Sequence, residues 1–241
     1  MSERFFVEPL ITSERATLAG SEVHHLAGVM RAKVGDEITL FDGNGSEFIG
    51  RIEFLKKDRC ELTIVRQQAI SREPPVAITA GIALPKGERQ KWLVEKLTEL
   101  GVARLVPLLT SRGVAQPSDQ VAARLRRTVI EACKQCGRNR LLEIMPPMTA
   151  GDWFTQPPLD ELRLLADPAG KPLGRLQSGI SNVNIAIGPE GGFTAEEIAV
   201  AKQAGWQTVS LGNSILRIET AAIAVAAICI ALASCQGAKV N

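Results

Sequence analysis

The sequence predicts a two-part α/β protein: a small N-terminal β-barrel, then a larger domain built on a mostly parallel sheet. Three observations carry this. Short alternating strands closed by turns fill residues 4–70. The polar, then proline-stiffened stretch SREPP at 71–75 breaks the chain. Beyond it, strand-length apolar runs alternate with helix-length amphipathic segments, as a parallel sheet covered on both faces requires. The boundary is placed at 72/73, giving domains 1–72 and 73–241 of a chain of 241 residues.

In the first part, 4–7 is a strand. Ser21 is placed as an N-cap, and Val23, Leu26, Val29 and Met30 are spaced for one helical face. A strand at 38–41 runs into Asp42-Gly43-Asn44-Gly45, a strong turn signal. EFIGRIEFL (47–55) and CELTIV (60–65) then alternate, and several short strands closed by turns suggest a barrel. In the second part, strands are predicted at 76–84, 102–109, 141–145, 162–166, 183–187 and 208–211. Helices are predicted at 88–100, 120–136, 194–204 and 215–234, the third opened by a Thr194/Glu197 capping box.

Composition narrows the class. With 45% hydrophobic and 22% charged residues the chain can bury a core, which excludes disorder and collagen-like sequence. No apolar stretch of signal-peptide type follows the first residues, so no export signal is expected. The longest apolar run, AAIAVAAICIALA at 221–233, falls short of a bilayer span and reads as a buried helix, so no membrane is expected. The five Cys (60, 133, 136, 229, 235) are odd in number and irregularly spaced, which suits a reducing, cytoplasmic setting. Cys133 and Cys136 form a C-x-x-C, but inside a helical pattern with no second pair and no nearby His, so no metal is expected.

The net charge of +2 hides an uneven distribution. Residues 1–75 carry −2, 76–145 carry +6 and 146–241 carry −2. The positive stretch is densest at 124–127 and 134–140, where cations either meet a polyanion or face only solvent.

Three glycine- or proline-bearing segments fall at the C-terminal ends of predicted strands, where open α/β sheets place ligands: 164–168, 187–193 and 211–217. Neither G-x-G-x-x-G nor G-x-x-x-x-G-K-[ST] occurs, which disfavours phosphate-loop nucleotide hydrolysis. The two histidines, His24 and His25, lie in the barrel part, so a nucleophile–histidine pair in the α/β part has no candidate. Glu190 and Glu219 are open to acid–base roles, but an ordinary Glu is a poor base at neutral pH.

IGPEGGF (187–193) followed by LGNSILRIETA (211–221) resembles the signature of the RsmE-type 16S rRNA methyltransferases, of the SPOUT class. RFF (4–6), HHLAGVMR (24–31), KGERQKWLVEKLTELGV (86–102) and EACKQCGR (131–138) match in order over nearly the whole chain. The resemblance implies a PUA-like barrel for RNA recognition, a SPOUT domain with a deep C-terminal trefoil knot, and a homodimer. It implies methylation of N3 of one uridine in 16S rRNA of the small ribosomal subunit, with S-adenosyl-L-methionine as cofactor. Carried over by motif, the cofactor residues are Leu165, Ala166, Ile187, Gly188, Pro189, Glu190, Gly191, Gly192, Leu211, Gly212, Ser214 and Leu216. With no His in the α/β part, Arg217 is the candidate catalytic residue, stabilising charge on the uracil or anchoring a phosphate; pairing with Glu219 or Glu190 is its other role. Arg4, His24, Arg31, Lys86, Arg89, Arg126, Arg127, Lys134 and Arg138 are expected to face RNA. A non-catalytic RNA-binding adaptor, or a SPOUT enzyme acting on another RNA or on ribose 2'-oxygen, stay open as alternatives.

Overall fold

The computed structural model describes residues 4–113, 119–157, 162–174 and 180–237. The chain divides into two compact units: 1–73 with 130–141, and 74–129 with 142–241.

The first unit is a five-stranded sheet: β1 (Arg4–Phe6), β2 (Arg15–Ala19), β3 (Glu37–Phe41), β4 (Glu47–Leu55) and β5 (Arg59–Gln68). Their spatial order is β1-β3-β4-β5-β2, with β1 parallel to β3 and the other pairs antiparallel. Two register shifts bend β4 along its length, which lets so small a sheet curl around its own core. Alternation puts Ile38 and Leu40 of β3 and Phe48 and Ile52 of β4 into that core with Phe5, Leu18, Cys60 and Leu62. The turn between β3 and β4 is the Asp-Gly-Asn-Gly segment, with Gly43 and Gly45 at positive φ and Asp42 Oδ1 accepting from Asn44 N at 3.0 Å. The helix between β2 and β3 is shorter and wider than its spacing suggests: α1 (Ser21–His24) passes into a π-helical turn at His25–Val29. Ser21 begins the helix rather than capping it, because Gly20 occupies the cap position.

The second unit carries seven strands: β6 (Ala77–Ile82), β7 (Arg104–Leu109), β8 (Glu143–Ile144), β9 (Met148–Thr149), β10 (Leu162–Pro172), β11 (Asn182–Ile187) and β12 (Gln207–Ser210). The order is β12-β10-β11-β6-β7-β8, every pair parallel, with β9 pairing further along β7. Central β6 and β11 are buried nearly end to end, as interior parallel strands must be. The helices are α2 (Glu88–Glu99), α3 (Asp119–Cys136), α4 (Ala150–Phe154), α5 (Ala195–Gln203) and α6 (Ile218–Gly237). α6 packs on α2, β11 and β6, while α4 packs on α5 and β7. Leu165, Ala186, Val106 and Leu108 meet Trp153, Phe154 and Trp206 in one core cluster.

Three expectations need correction. The apolar C-terminal helix is not buried on all sides: Ala222, Val225, Ala226 and Cys229 form a buried stripe, but only 44% of its most apolar 18 residues are buried. By length and composition alone it is long enough to cross a membrane. The strand placed at 162–166 continues to 172, because the chain leaves β12 after Ala166 and rejoins it at Lys171, both opposite Val209. Residues 130–141 group with the N-terminal unit, beyond the 72/73 boundary. The cause is a polar cluster: Arg138 donates to both oxygens of Glu73 (2.9 and 2.6 Å), and Asn139 bonds Arg4 and the Ile70 carbonyl.

Candidate functional site

At the C-terminal edge of the parallel sheet, three chain segments converge on one cavity of about 420 Å³. The excursion of β10 contributes Ala166, Asp167, Pro168 and Ala169. The loop after β11 contributes Ile187, Gly188, Pro189, Glu190, Gly191, Gly192 and Phe193, and the segment after β12 contributes Leu211, Gly212, Ser214, Ile215 and Leu216. Val209 and the first turns of α6, through Ile218 and Ala221, close it.

Each loop is held by its own chemistry. The β11 loop is pinned at one end by Phe193, buried edge-on against Phe154 with ring centroids 5.4 Å apart. A Cβ at 188 would lie 3.0 Å from that ring and 3.1 Å from Phe193 N, tighter than an ordinary contact, so glycine fits the turn without displacing Phe193. The loop then enters α5 through the predicted capping box: Thr194 Oγ1 accepts from Glu197 N at 3.2 Å and Glu197 Oε2 accepts from Thr194 N at 2.8 Å. Glu197 Oε1 also accepts from Ser111 N and Oγ, at 2.9 and 3.1 Å, tying the loop after β7 to the same corner. From that loop Arg112 donates to the Gly191 carbonyl at 2.7 Å. From α2, Arg89 donates to Glu190 Oε1 at 2.7 Å and lies 3.9 Å from Glu219.

The Arg89 guanidinium, with a smaller contribution from Arg217, holds the Glu190 carboxyl below the usual carboxylate range. A carboxylate so held is a weaker base than an ordinary one, which argues against Glu190 as the group that abstracts a proton. Glu219 is buried, and its Oε2 has no hydrogen-bond partner among the described residues. The charged residues on the cavity wall are Asp167 and Glu190, both acidic, beside apolar Ile187, Leu211, Leu216 and Ile218. Such a wall suits a small molecule with an apolar body and positive charge, and the volume lies in the range of cofactor sites.

Of the twelve residues carried over as cofactor-binding, eleven line this cavity. Leu165 does not: it is fully buried in the aromatic core behind it, since alternation along β10 turns it away from Ala166. Asp167, Pro168, Ala169, Phe193, Val209, Ile215, Ile218 and Ala221 are additions; Asp167, Pro168, Phe193 and Ile215 already lie inside the three segments marked by strand ends. Arg217 is exposed beside the cavity, within reach of Glu190 by charge but not part of the wall. The ion pairs expected of it are made by Arg89 instead.

The cations expected to face RNA divide. His24 and Arg31 are exposed on the first unit, where His24 lines an open hollow with His25, Val29 and Lys57. Lys86, Arg126 and Arg127 are exposed on the second unit, and Arg89 is half-buried in its pairing with Glu190. Arg4 and Arg138 are corrections: 7% and 2% exposed, they bind Glu47 and Glu73 and offer nothing to a polyanion. Lys134 is also largely enclosed, paired with Glu22 and Glu131. The basic segment is therefore a narrower surface than its charge count suggests. Cys133 of the C-x-x-C is buried, and burial pushes its thiol up to about 12.

A family model described as an RNA methyltransferase domain matches residues 72–230, and one described as an RNA methyltransferase PUA domain matches 18–65. The chain is 35% identical over 232 residues to the ribosomal RNA small subunit methyltransferase E of Synechocystis sp., covering 92% of this chain and 75% of the relative. It is 28% identical over 239 residues to the protein of the same name from Bacillus subtilis, covering 91% and 92%. Among solved structures, the ribosomal RNA small subunit methyltransferase E of Neisseria gonorrhoeae bound to S-adenosyl methionine is similar with a TM-score of 0.87. Its identity is 32%, over 96% of this chain and 98% of that one.

Proposed function

The chain belongs to the RNA methyltransferase family, and on that premise we propose that it methylates N3 of one uridine in 16S rRNA of the small ribosomal subunit, using S-adenosylmethionine. The observation that supports this best is the three-loop cavity, whose carboxylates and apolar patches suit a sulfonium attached to an adenosine. Ile187, Leu211, Leu216 and Ile218 would hold the purine, and the backbone groups of 188–192 and 211–212, close to the cavity for want of side chains at the glycines, would hold its polar edge. When bound, S-adenosylmethionine supplies an electrophilic methyl group; transfer to N3 leaves a neutral thioether, and the N3 proton is released to water.

The chain's part in this is alignment and electrostatics. The capping box and the Arg112 and Arg89 contacts hold the 187–193 loop in one conformation, so the methyl group is presented without reorganisation. Arg217, exposed at the cavity edge, stabilises the negative charge that develops on the uracil as N3 is alkylated. The half-exposed apolar side of α6, rich in Ala and Ile, pairs with a second copy of the chain in a homodimer. The knot expected of the SPOUT class would be the device that keeps the segments after β11 and β12 side by side. An rRNA substrate fits a cytoplasmic location. Isothermal titration with S-adenosylmethionine tests the reading: saturable binding at one site per chain is expected, and no binding would leave an RNA-binding adaptor as the better account.

A further inference from the structure

The cofactor cavity has a neighbour of opposite charge. Residues 189–191 also line a second cavity of about 320 Å³, walled by residues 83–86, Arg89, Leu108 and Arg112. Pro189, Glu190, Gly191 and Ile218 line both cavities, so the two adjoin at one loop and one side chain. The charged residues of the first cavity are Asp167 and Glu190; the second adds Lys86, Arg89 and Arg112. A cation is favoured on one side and an anion on the other.

These three cations are not equivalent. Arg89 donates to Glu190 at 2.7 Å and stands 3.9 Å from the buried Glu219, so two carboxylates compensate its charge. Arg112 uses Nη1 on the uncharged Gly191 carbonyl, which fixes its position; its charge acts on the Glu196 carboxylate, but it makes no ion pair among the described residues. Its Cδ would lie 3.4 Å from a Cβ at 191, an ordinary contact, so the side chain runs close over the loop. Lys86 is exposed and has no ion pair among the described residues. Between these two charges, Ala83, Leu84, Pro85, Leu108 and Ile218 give an apolar slot, with Ala83 and Leu84 buried at the end of β6.

We infer that this second cavity is the acceptor site, taking the target uridine of an RNA strand with its base in the slot and its phosphate on Lys86 and Arg112. The assignment rests on the methyltransferase reading above and adds to it the residues that hold the substrate. The shared lining sets the slot directly beside the methyl-donor cavity, the adjacency that in-line transfer to N3 needs. The assignment also gives the exposed Lys86 and the Gly191-bound Arg112 a common task, phosphate anchoring, in which Arg presents a planar fork and Lys a point charge.

The test uses the full-length protein with Lys86→Ala, Arg112→Gln and the double variant; Gln keeps a donor for the Gly191 carbonyl while removing the charge. Methylation of small ribosomal subunits is measured from labelled S-adenosylmethionine over a range of salt, and cofactor affinity is measured by calorimetry. The double variant is expected to raise KM for the RNA at least about tenfold, with kcat changed less. Each substitution should flatten the salt dependence of kcat/KM by about 0.7 in log–log slope, the value for one phosphate contact to a single strand. For Lys86→Ala, which removes no hydrogen bond to the cofactor loop among the described residues, cofactor affinity should stay within about threefold of wild type, a change below ~1 kcal/mol. Unchanged KM and slope in the double variant, with wild-type methylation intact, would overturn the assignment. So would a loss of cofactor affinity in Lys86→Ala matching its loss of activity, since Lys86 would then belong to the cofactor wall. A wild-type protein that binds cofactor but methylates no RNA would instead overturn the methyltransferase reading, and this assignment with it.

Discussion

Gly170 lies where β10 returns to β12 after its excursion around the three-loop cavity. A Cβ there would sit 2.6 Å from Val209 N, 2.7 Å from Thr208 C and 2.8 Å from Val209 C. All three are backbone atoms of β12, so no side-chain rotation relieves the contact, and the segment or the strand has to move. Overpacking a rigid site costs about 1–3 kcal/mol, and backbone against backbone belongs at or above the middle of that range. Taking ~2 kcal/mol, Gly170→Ala should lower Tm by about 4–8 °C for a domain of this size. Because Asp167, Pro168 and Ala169 line the cavity, peeling the segment away removes one of its three walls. If the same ~2 kcal/mol is taken from the bound state, S-adenosylmethionine binds about 30-fold more weakly. Thermal melting followed by circular dichroism reads the first effect and calorimetric titration the second. Gly174→Ala is the matched control: nothing lies within 4 Å of its Cβ, so it should stay within ~0.5 kcal/mol of wild type. Should Gly170→Ala melt and bind cofactor as Gly174→Ala does, the close approach to β12 does not shape the cavity.

Three further expectations concern residues outside that wall. Arg217→Ala, with cofactor binding confirmed, should slow single-turnover methylation about 10²-fold if its charge acts in the transition state, and an unchanged rate would remove it from the chemistry. Arg138→Ala leaves the Glu73 carboxylate without its two donors and should destabilise the N-terminal unit by about 3 kcal/mol in urea unfolding. The salt slope of RNA binding should not move, and a flatter slope in the folded variant would contradict the structural role. Cys60, Cys133 and Cys229 are buried with thiols pushed up to about 11, 12 and 11, whereas Cys235 is exposed and Cys136 half-buried. A thiol reagent at neutral pH should therefore modify Cys235 and Cys136 and spare the other three until the protein unfolds. Prompt modification of Cys133 would mean that the C-x-x-C is accessible and open to redox chemistry.

What could be read from the chain alone followed the local signals. The Asp-Gly-Asn-Gly turn, the Thr194/Glu197 capping box and the apolar runs of β6 and β11 are each written in a few adjacent residues, and each stands where the spacing put it. So do the strand-end segments at 187–193 and 211–217, while 164–168 reaches the site from within β10. The misses have the opposite character. The buried pairing of Arg138 with Glu73 joins residues 65 positions apart, and nothing local distinguishes such an arginine from one facing RNA. The excursion of β10 depends on the approach of Gly170 to a strand nearly 40 residues later, so periodicity ended the strand at Ala166. β2, with its RATLA sequence, carries only two core side chains and no aromatic, too weak a pattern to mark a strand. Leu165 fell on the wrong side of the cavity wall because a motif names neighbours without saying which way alternate side chains of a strand point.

The most direct test of the account is to offer small ribosomal subunits, naked 16S rRNA and tRNA to the protein with labelled S-adenosylmethionine and to map every methylated position. One modified uridine in 16S rRNA, methylated at N3, is the predicted result. Label in tRNA, label on a ribose oxygen, or no label despite bound cofactor would contradict it.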